Sequence, residues 1–360
     1  MAYTVPDTVR VGLESVCKNV ASASIGVWEL QIGMQKGDGF QRGGVITSSG
    51  LFTARPAVGD YIAVDKTMDC ADALDMANDM KKSGLDTYAA YLSGRGWTVY
   101  VKDASASAVE KAVDENASRV SFEGVAITGG EAPVLVPEDA VMMGGNVADT
   151  FKLNSMPYRG MLTFSVNGSS MTGVNIIGLE EYLYGVVPSE MPKSYDAEAL
   201  KAQAVAARTY AMTKLGAHAG SGYQLCDTTA CQVYKGYSNE ADATTAAVDA
   251  TAGEVACYNG SPIEAVFSAS TGGFTESSEN VWNAAVPYLR AVPEPGEYGD
   301  NSWTKTLTLD ELTALLQAKG ENIGTAKDIV ITKISTGGRV QELQIVGTSG
   351  TKTLTKEAIR

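Results

Sequence analysis

Between residues 60 and 124 the chain changes its hydrophobic period repeatedly, which restricts its fold more than any other feature. The strand-like YIAVDK is followed by helix-like CADALDMANDMKKSG, strand-like TYAAYL and WTVYVKD, helix-like SASAVEKAVDEN and strand-like RVSFEG. The order βαββαβ describes a ferredoxin-like module. In its first helix Cys70, Ala73, Leu74 and Ala77 share one face, and Gly84 stands where a C-terminal cap is expected. The fold class is therefore α+β.

On either side the pattern differs. VRVGLE and IGVWELQIG read as short strands punctuated by GGVITSSG, so the opening is β-rich. After a polar connection, two strand-like runs meet at Asn167-Gly168, a strong hairpin signal. A long helix is expected from about Asp196, its N-cap, to Leu215, with Gly216 as its stop. Leu200, Ala204, Ala207, Ala211 and Leu215 give that helix a stripe of mostly small residues along which a neighbour can approach closely. A further helix (ADATTAAVDATAG) and strands EVACYNG and PIEAVFSAS follow. The tail carries a capping box, Thr308 to Glu311, before LDELTALLQAKG, then a hairpin around Gly337-Gly338.

With 360 residues, 44% apolar and 19% charged, the chain can form two or three folded domains with sizeable cores. Its formal net charge of −14 would repel a phosphate backbone, so nucleic acid is excluded as a partner. No run of about 18 apolar residues suggests a membrane span. The stretch MAYTVPDTVRVGL lacks the basic start and apolar core of a signal peptide, so localisation has to be argued from function. Five cysteines are too few and scattered for a disulfide framework. The single histidine, His218, excludes any mechanism that needs two imidazoles.

The stretch GVVPSEMP places Glu190 between two prolines, ahead of the alanine-rich helix. LEEYLYGVVPSEMPKSYDAEALKAQAVAARTYAM, then LCDTTACQVYKGY, then FSASTGGFTESSENVWNAAVPYLRAV, together resemble the SpoIID/LytB family of peptidoglycan-active proteins. The resemblance also reaches VRVGL and GRVQELQIVG. The βαββαβ stretch, with its WTVYV strand, resembles the SPOR domain, which binds glycan stripped of its peptides; a purely structural α/β insertion is the alternative.

The first resemblance implies a SpoIID-type mixed α/β core with a catalytic cleft. Residues 1–58 would supply its N-terminal strands, 126–302 the catalytic core and 303–360 the helix and strands that complete it, with a SPOR-like glycan-binding module inserted at 59–125. SpoIID-like members are lytic transglycosylases that cut between N-acetylmuramic acid and N-acetylglucosamine in denuded strands during sporulation. LytB-like members enhance a cell-wall amidase. Both imply an extracytoplasmic protein, membrane-anchored or secreted, whose partners are glycan strands and other cell-wall hydrolases of the sporulation machinery. A structural protein that binds glycan without cutting it is a third reading.

Glu190 matches the family's catalytic glutamate in V-x-x-E-M-P. One carboxyl suffices for a lytic transglycosylase, because the muramyl 6-hydroxyl supplies the nucleophile. Such an acid must start protonated, and Val186, Val187 and Met191 are the apolar neighbours expected to help. Arg208 matches a family arginine that orients substrate; a structural ion pair with Glu181 or Glu180 is its alternative role. Gln203 either hydrogen-bonds sugar or supports the cleft. Ser270, Thr271, Gly272, Gly273 and Glu276 are expected to contact substrate, with Lys305 near the family's basic position, where a solvated lysine is the alternative. Trp282 either stacks on a sugar or packs into a core. Where SpoIID-like proteins have D-L-C-D-T-T-H-C-Q-V-Y, this chain has Ala230 in place of the histidine. His218, Cys226 and Cys231 are then one ligand short of a closed zinc site, with Asp227 or water to complete it. A disulfide or free thiols is the favoured expectation, and Glu190 requires no cofactor.

Overall fold

The computed structural model describes residues 4–145, 150–282, 284–294 and 302–359. The chain divides into two units, Met1–Val266 and Phe267–Arg360. The first opens with β1 (Thr8–Gly12), α1 (Glu14–Cys17), β2 (Ala23–Gly26), β3 (Glu29–Lys36), β4 (Gly39–Thr47) and β5 (Phe52–Val64). Next come α2 (Cys70–Lys82), β6 (Asp86–Tyr91), β7 (Trp97–Lys102), α3 (Ala106–Val113), β8 (Ala117–Thr128), β9 (Val134–Pro137) and β10 (Val141–Gly144). The unit continues with β11 (Phe151–Leu153), β12 (Met156–Tyr158), β13 (Met161–Asn167), β14 (Ser170–Gly178), α4 (Leu179–Glu190) and α5 (Ala197–Thr213). It ends with β15 (Leu225–Cys226), α6 (Asp242–Asp249), β16 (Cys257–Tyr258) and β17 (Ser261–Pro262).

From β5 to β8 the elements follow the βαββαβ order read from the sequence. The strands lie antiparallel in the order β8-β5-β7-β6. Strand β9 then bridges the two outer strands, parallel to β6 and antiparallel to β8, and closes a ring. Helix α2 starts where Asp69 accepts the Asp72 N–H, and it buries Ala73, Leu74, Ala77 and Met80. These pack with Val99 and Val101 of β7, while the alternate strand residues gather Tyr61, Tyr100 and Phe122 into a separate aromatic cluster. The ring is continuous with the rest of the unit. The start of β5 pairs with β2, extending an eight-stranded sheet, and the fully buried Trp97 donates its indole N–H to Gly43 of β4.

The second sheet of this unit runs β15-β1-β14-β13-β10-β3-β4. Its β13–β14 hairpin turns at Gly168, with Asn167 opposite Ser170. Val9, Ile32 and Phe164 of this sheet share one core with Leu183 and Val186 of α4 and Ala204 and Ala207 of α5. Burial of each larger aliphatic side chain there contributes about 1.5–3 kcal/mol. The stripe on α5 is used as its composition suggests: Leu200, Ala204, Ala207 and Ala211 are all buried, and α4 and α6 pack on the helix. One expected element is absent. PIEAVFSAS keeps only Pro262 in a two-residue ladder; beyond it Ile263 N–H still donates to Ala256, but the Val266 N–H turns to the Glu264 carbonyl, a local bond that an extended strand does not make.

The second unit contains α7 (Ser278–Val281), α8 (Leu309–Ala318), β18 (Ala326–Ile334), β19 (Val340–Gly347) and β20 (Thr351–Thr355), the strands forming an antiparallel meander. The Thr308–Glu311 capping box forms as expected. Leu316, Ile323, Ala326 and Ile345 give this unit its own core. The sequence placed a boundary at 302/303 and assigned the tail to the preceding core; the division falls at 266/267, and the tail's apolar residues pack on one another. Among the described residues, no helix is long and apolar enough to cross a membrane.

Candidate active site

Glu190 is the last residue of α4, not a residue at the start of a helix. Pro188 lies in the final turn, Met191 is extended (φ −135°, ψ 133°), and Pro192 follows. Ser189 Oγ donates to the Gly185 carbonyl at 2.7 Å, which keeps the proline-interrupted turn closed. A carboxylate at a helix C-terminus is opposed by the macrodipole, by about 0.3–1 kcal/mol at an exposed site. Helix stability therefore does not account for Glu190. Val186 and Val187, expected around the carboxyl, are fully buried in the core beneath it. Glu190 itself is half-buried, and its Oε1 accepts the Val233 N–H at 2.7 Å. Among the described residues, Oε2 has no hydrogen-bond or ion-pair partner.

Val233 belongs to the CDTTACQVY segment, which is anchored at four points. Strand β15 pairs parallel to β1. The Asp227 carboxylate accepts the Ser15 N–H at 3.0 Å and the Ser15 hydroxyl. Burial pushes that carboxyl up, while the Ser15 hydrogen bonds pull it back. Gln232 donates to Ala207 of α5 at 3.2 Å and accepts from the Tyr182 hydroxyl of α4 at 3.3 Å. Tyr234 donates to the Asn175 side chain at 2.9 Å and packs with its ring 5.1 Å from that of Tyr182. A Cβ on Gly185 would lie 2.6 Å from the Tyr234 ring, so glycine is what lets α4 and this segment meet. The first two sequence blocks thus assemble around one carboxylate.

Arg208 takes its alternative role. Its guanidinium is fully buried, forks onto Glu180 (Nε–Oε1 2.8 Å, Nη2–Oε2 2.5 Å) and donates to the carbonyls of Glu254 and Val248. With every face enclosed, it is placed to join α4, α5 and α6 and has no surface to offer a substrate. Gln203 is 7% exposed, and its Nε2 has no hydrogen-bond partner among the described residues.

His218, Cys226 and Cys231 come together, with their ligand atoms all within 4.8 Å of one another. His218 Nε2 lies 3.2 Å from Cys231 Sγ, and Nδ1 faces Glu14 at 4.0 Å. All five cysteines are free in this structure. Burial pushes the Cys231 thiol up, and a cation would have to displace its proton. One imidazole with two thiols suits three positions of a tetrahedral zinc site. Asp227 is turned away to Ser15, so it does not supply the fourth.

The remaining candidates lie in the second unit. Ser270 is exposed and its hydroxyl accepts the Gly272 N–H at 3.3 Å, while Thr271 donates to Glu294. Gly272 and Gly273 have φ of +65° and +86° with open space around them, so conformation, not crowding, selects glycine. The Glu276 carboxylate is turned inward, 7% exposed, and accepts from Ser277 N–H, Asn280 and Ser335, with Arg339 nearby at 3.8 Å. Burial would raise its pKa, but these hydrogen bonds and the Arg339 charge together hold it below the ordinary value. Its geometry is that of a tether and not of a substrate ligand. Lys305 is solvated, and Trp282, 43% exposed, is not a core residue. Sequence reasoning did not find Gln232 and Tyr234, which flank the Val233 that bonds Glu190, nor Asn175, Arg159 and Glu240, which tie neighbouring segments together; the polar residues of the CQVYKGYSNE run were the available signal for Gln232, Tyr234 and Glu240.

Residues 167–258 match the profile of SpoIID, the stage II sporulation protein family, and residues 296–360 match a domain of unknown function (DUF8618). An uncharacterised protein of Brachyspira hyodysenteriae is 37% identical over 221 residues, covering 60% of this chain. The amidase enhancer of Bacillus subtilis is 49% identical over 130 residues, 36% of this chain, and the stage II sporulation protein D of that organism is 39% identical over 163 residues, 41% of it. The chain spans 60%, 17% and 48% of the lengths of these three relatives, respectively.

Proposed function

We propose that this chain, a member of the SpoIID/LytB family through residues 167–258, is a lytic transglycosylase acting on the glycan of peptidoglycan outside the cytoplasmic membrane. The observation that carries this reading is Glu190: one carboxylate oxygen is fixed by a backbone N–H, the other has no partner among the described residues, and the helix that bears it gains nothing from its charge. As the acid, Glu190 protonates the glycosidic oxygen between N-acetylmuramic acid and N-acetylglucosamine. As the carboxylate, it takes the proton of the muramyl 6-hydroxyl, whose oxygen closes the 1,6-anhydro ring. No second carboxylate and no water are consumed.

Other features support the same reading. The βαββαβ region, as a SPOR-like module, would hold the same denuded glycan and raise its effective concentration. His218, Cys226 and Cys231 would hold zinc as a structural clamp between the end of α5 and the CDTTACQVY segment. Glu190 chemistry does not pass through that clamp.

Incubation with denuded glycan followed by mass spectrometry is expected to give 1,6-anhydromuramyl products, and Glu190→Gln to give none. Equal activity of the variant, or no product where a known transglycosylase works, rejects the reading. A second reading, an enhancer of a cell-wall amidase, is favoured by the 49% identity to the Bacillus subtilis amidase enhancer. It requires stimulation of an amidase without anhydro products.

A further inference from the structure

We propose that Tyr237, on the turn fastened to Ser189, is a sugar-stacking platform, a subsite for one neutral hexopyranose ring, with Arg159 and Glu240 holding its ring in place. The identity of the ligand rests on the transglycosylase reading; the platform itself rests on geometry. Tyr237 opens a 3-10 turn, Tyr237–Asn239, that packs against α4. Asn239 Nδ2 donates to Ser189 Oγ at 2.8 Å, which fastens the turn to the residue preceding Glu190. Large aromatic side chains are normally covered, yet Tyr237 is 39% exposed.

Its ring is nevertheless held. The Arg159 guanidinium carbon lies 4.6 Å from the ring centre, a cation–π contact that covers part of the aromatic surface. That guanidinium is itself fixed by a two-pronged pair with Glu240, Nε–Oε1 and Nη2–Oε2 both at 2.8 Å. The Arg159 carbonyl accepts from Asn175, which also receives the Tyr234 hydroxyl, so the support reaches the buried core. The arginine charge is matched by the glutamate, which leaves no net charge to attract a phosphate or carboxylate. What remains is a rigid, exposed aromatic surface with polar edges, suited to the C–H face of a pyranose. A ring already immobilised loses little side-chain entropy on binding.

The test measures binding of soluble denuded glycan by calorimetry in the full chain carrying Glu190→Gln, which cannot turn the ligand over. Adding Tyr237→Ala or Tyr237→Leu is expected to weaken binding at least about tenfold, and Tyr237→Phe to change it less than about twofold. Leucine keeps apolar bulk without the aromatic face, and thermal unfolding of each variant shows whether the fold is kept. Equal binding by the alanine and leucine variants overturns the platform while leaving the transglycosylase reading intact. Loss of binding by these variants in a protein whose parent makes no anhydro product supports the platform and rejects that reading. A phenylalanine variant as weak as alanine, or a parent that binds no glycan, overturns the platform.

Discussion

Glu190 and Arg208 lie eighteen residues apart in the same motif-bearing segment, yet the structure gives them opposite surroundings. Glu190 keeps an oxygen available because its neighbours in α4, Val186 and Val187, take the core positions, while Arg208 occupies a core position itself. Removing one partner of a buried ion pair leaves an uncompensated charge, which costs far more than losing a surface contact. Arg208→Ala is therefore expected to lower unfolding free energy by about 3–5 kcal/mol in urea titrations. Unchanged stability with lost activity would instead return Arg208 to the substrate. The residue types were legible in the sequence, but the choice between the two roles was not, since an arginine on a helix reads the same whether it faces Glu180 or a sugar.

At the scale of elements, local signals succeeded where the controlling interactions are local. The Asn167-Gly168 turn, the Thr308 capping box and the βαββαβ order all formed as read, because each depends on neighbours within a few residues. PIEAVFSAS failed as a strand because a strand needs a partner that its own composition cannot provide. Glu276 is another non-local case: it joins the 271–280 segment to the β18–β19 hairpin through Ser335 and Arg339. Its folded pKa lies below the unfolded carboxylate value of roughly 4.3, so its stabilisation is complete above that pH and is lost as pH falls through the folded value. The protection of the Ser277 amide, its exchange rate relative to the intrinsic rate at each pH, is expected to fall across that acid window in the native sequence, and much less in Glu276→Gln. A matching loss of protection in both proteins would assign the effect to other carboxylates.

For the whole molecule, each of the two units has a core of its own. Met1–Val266 expressed alone is expected to unfold in one cooperative transition on heating, and a broad, non-cooperative melt would show that its core does not suffice. By itself the sequence determined the α+β class and the order of elements, and its resemblance to a known family singled out Glu190 as the candidate carboxylate. The class and the order follow from periodicity and residue type, which act over short range or in sum. Only the tertiary structure decided that Arg208 is a buried strut, that Glu276 is a tether, that His218 meets Cys226 and Cys231, and that Tyr237 stands exposed under Arg159. Those outcomes depend on which side chains fill the core and which are left at its edge, and this is fixed by contacts between residues far apart in the chain.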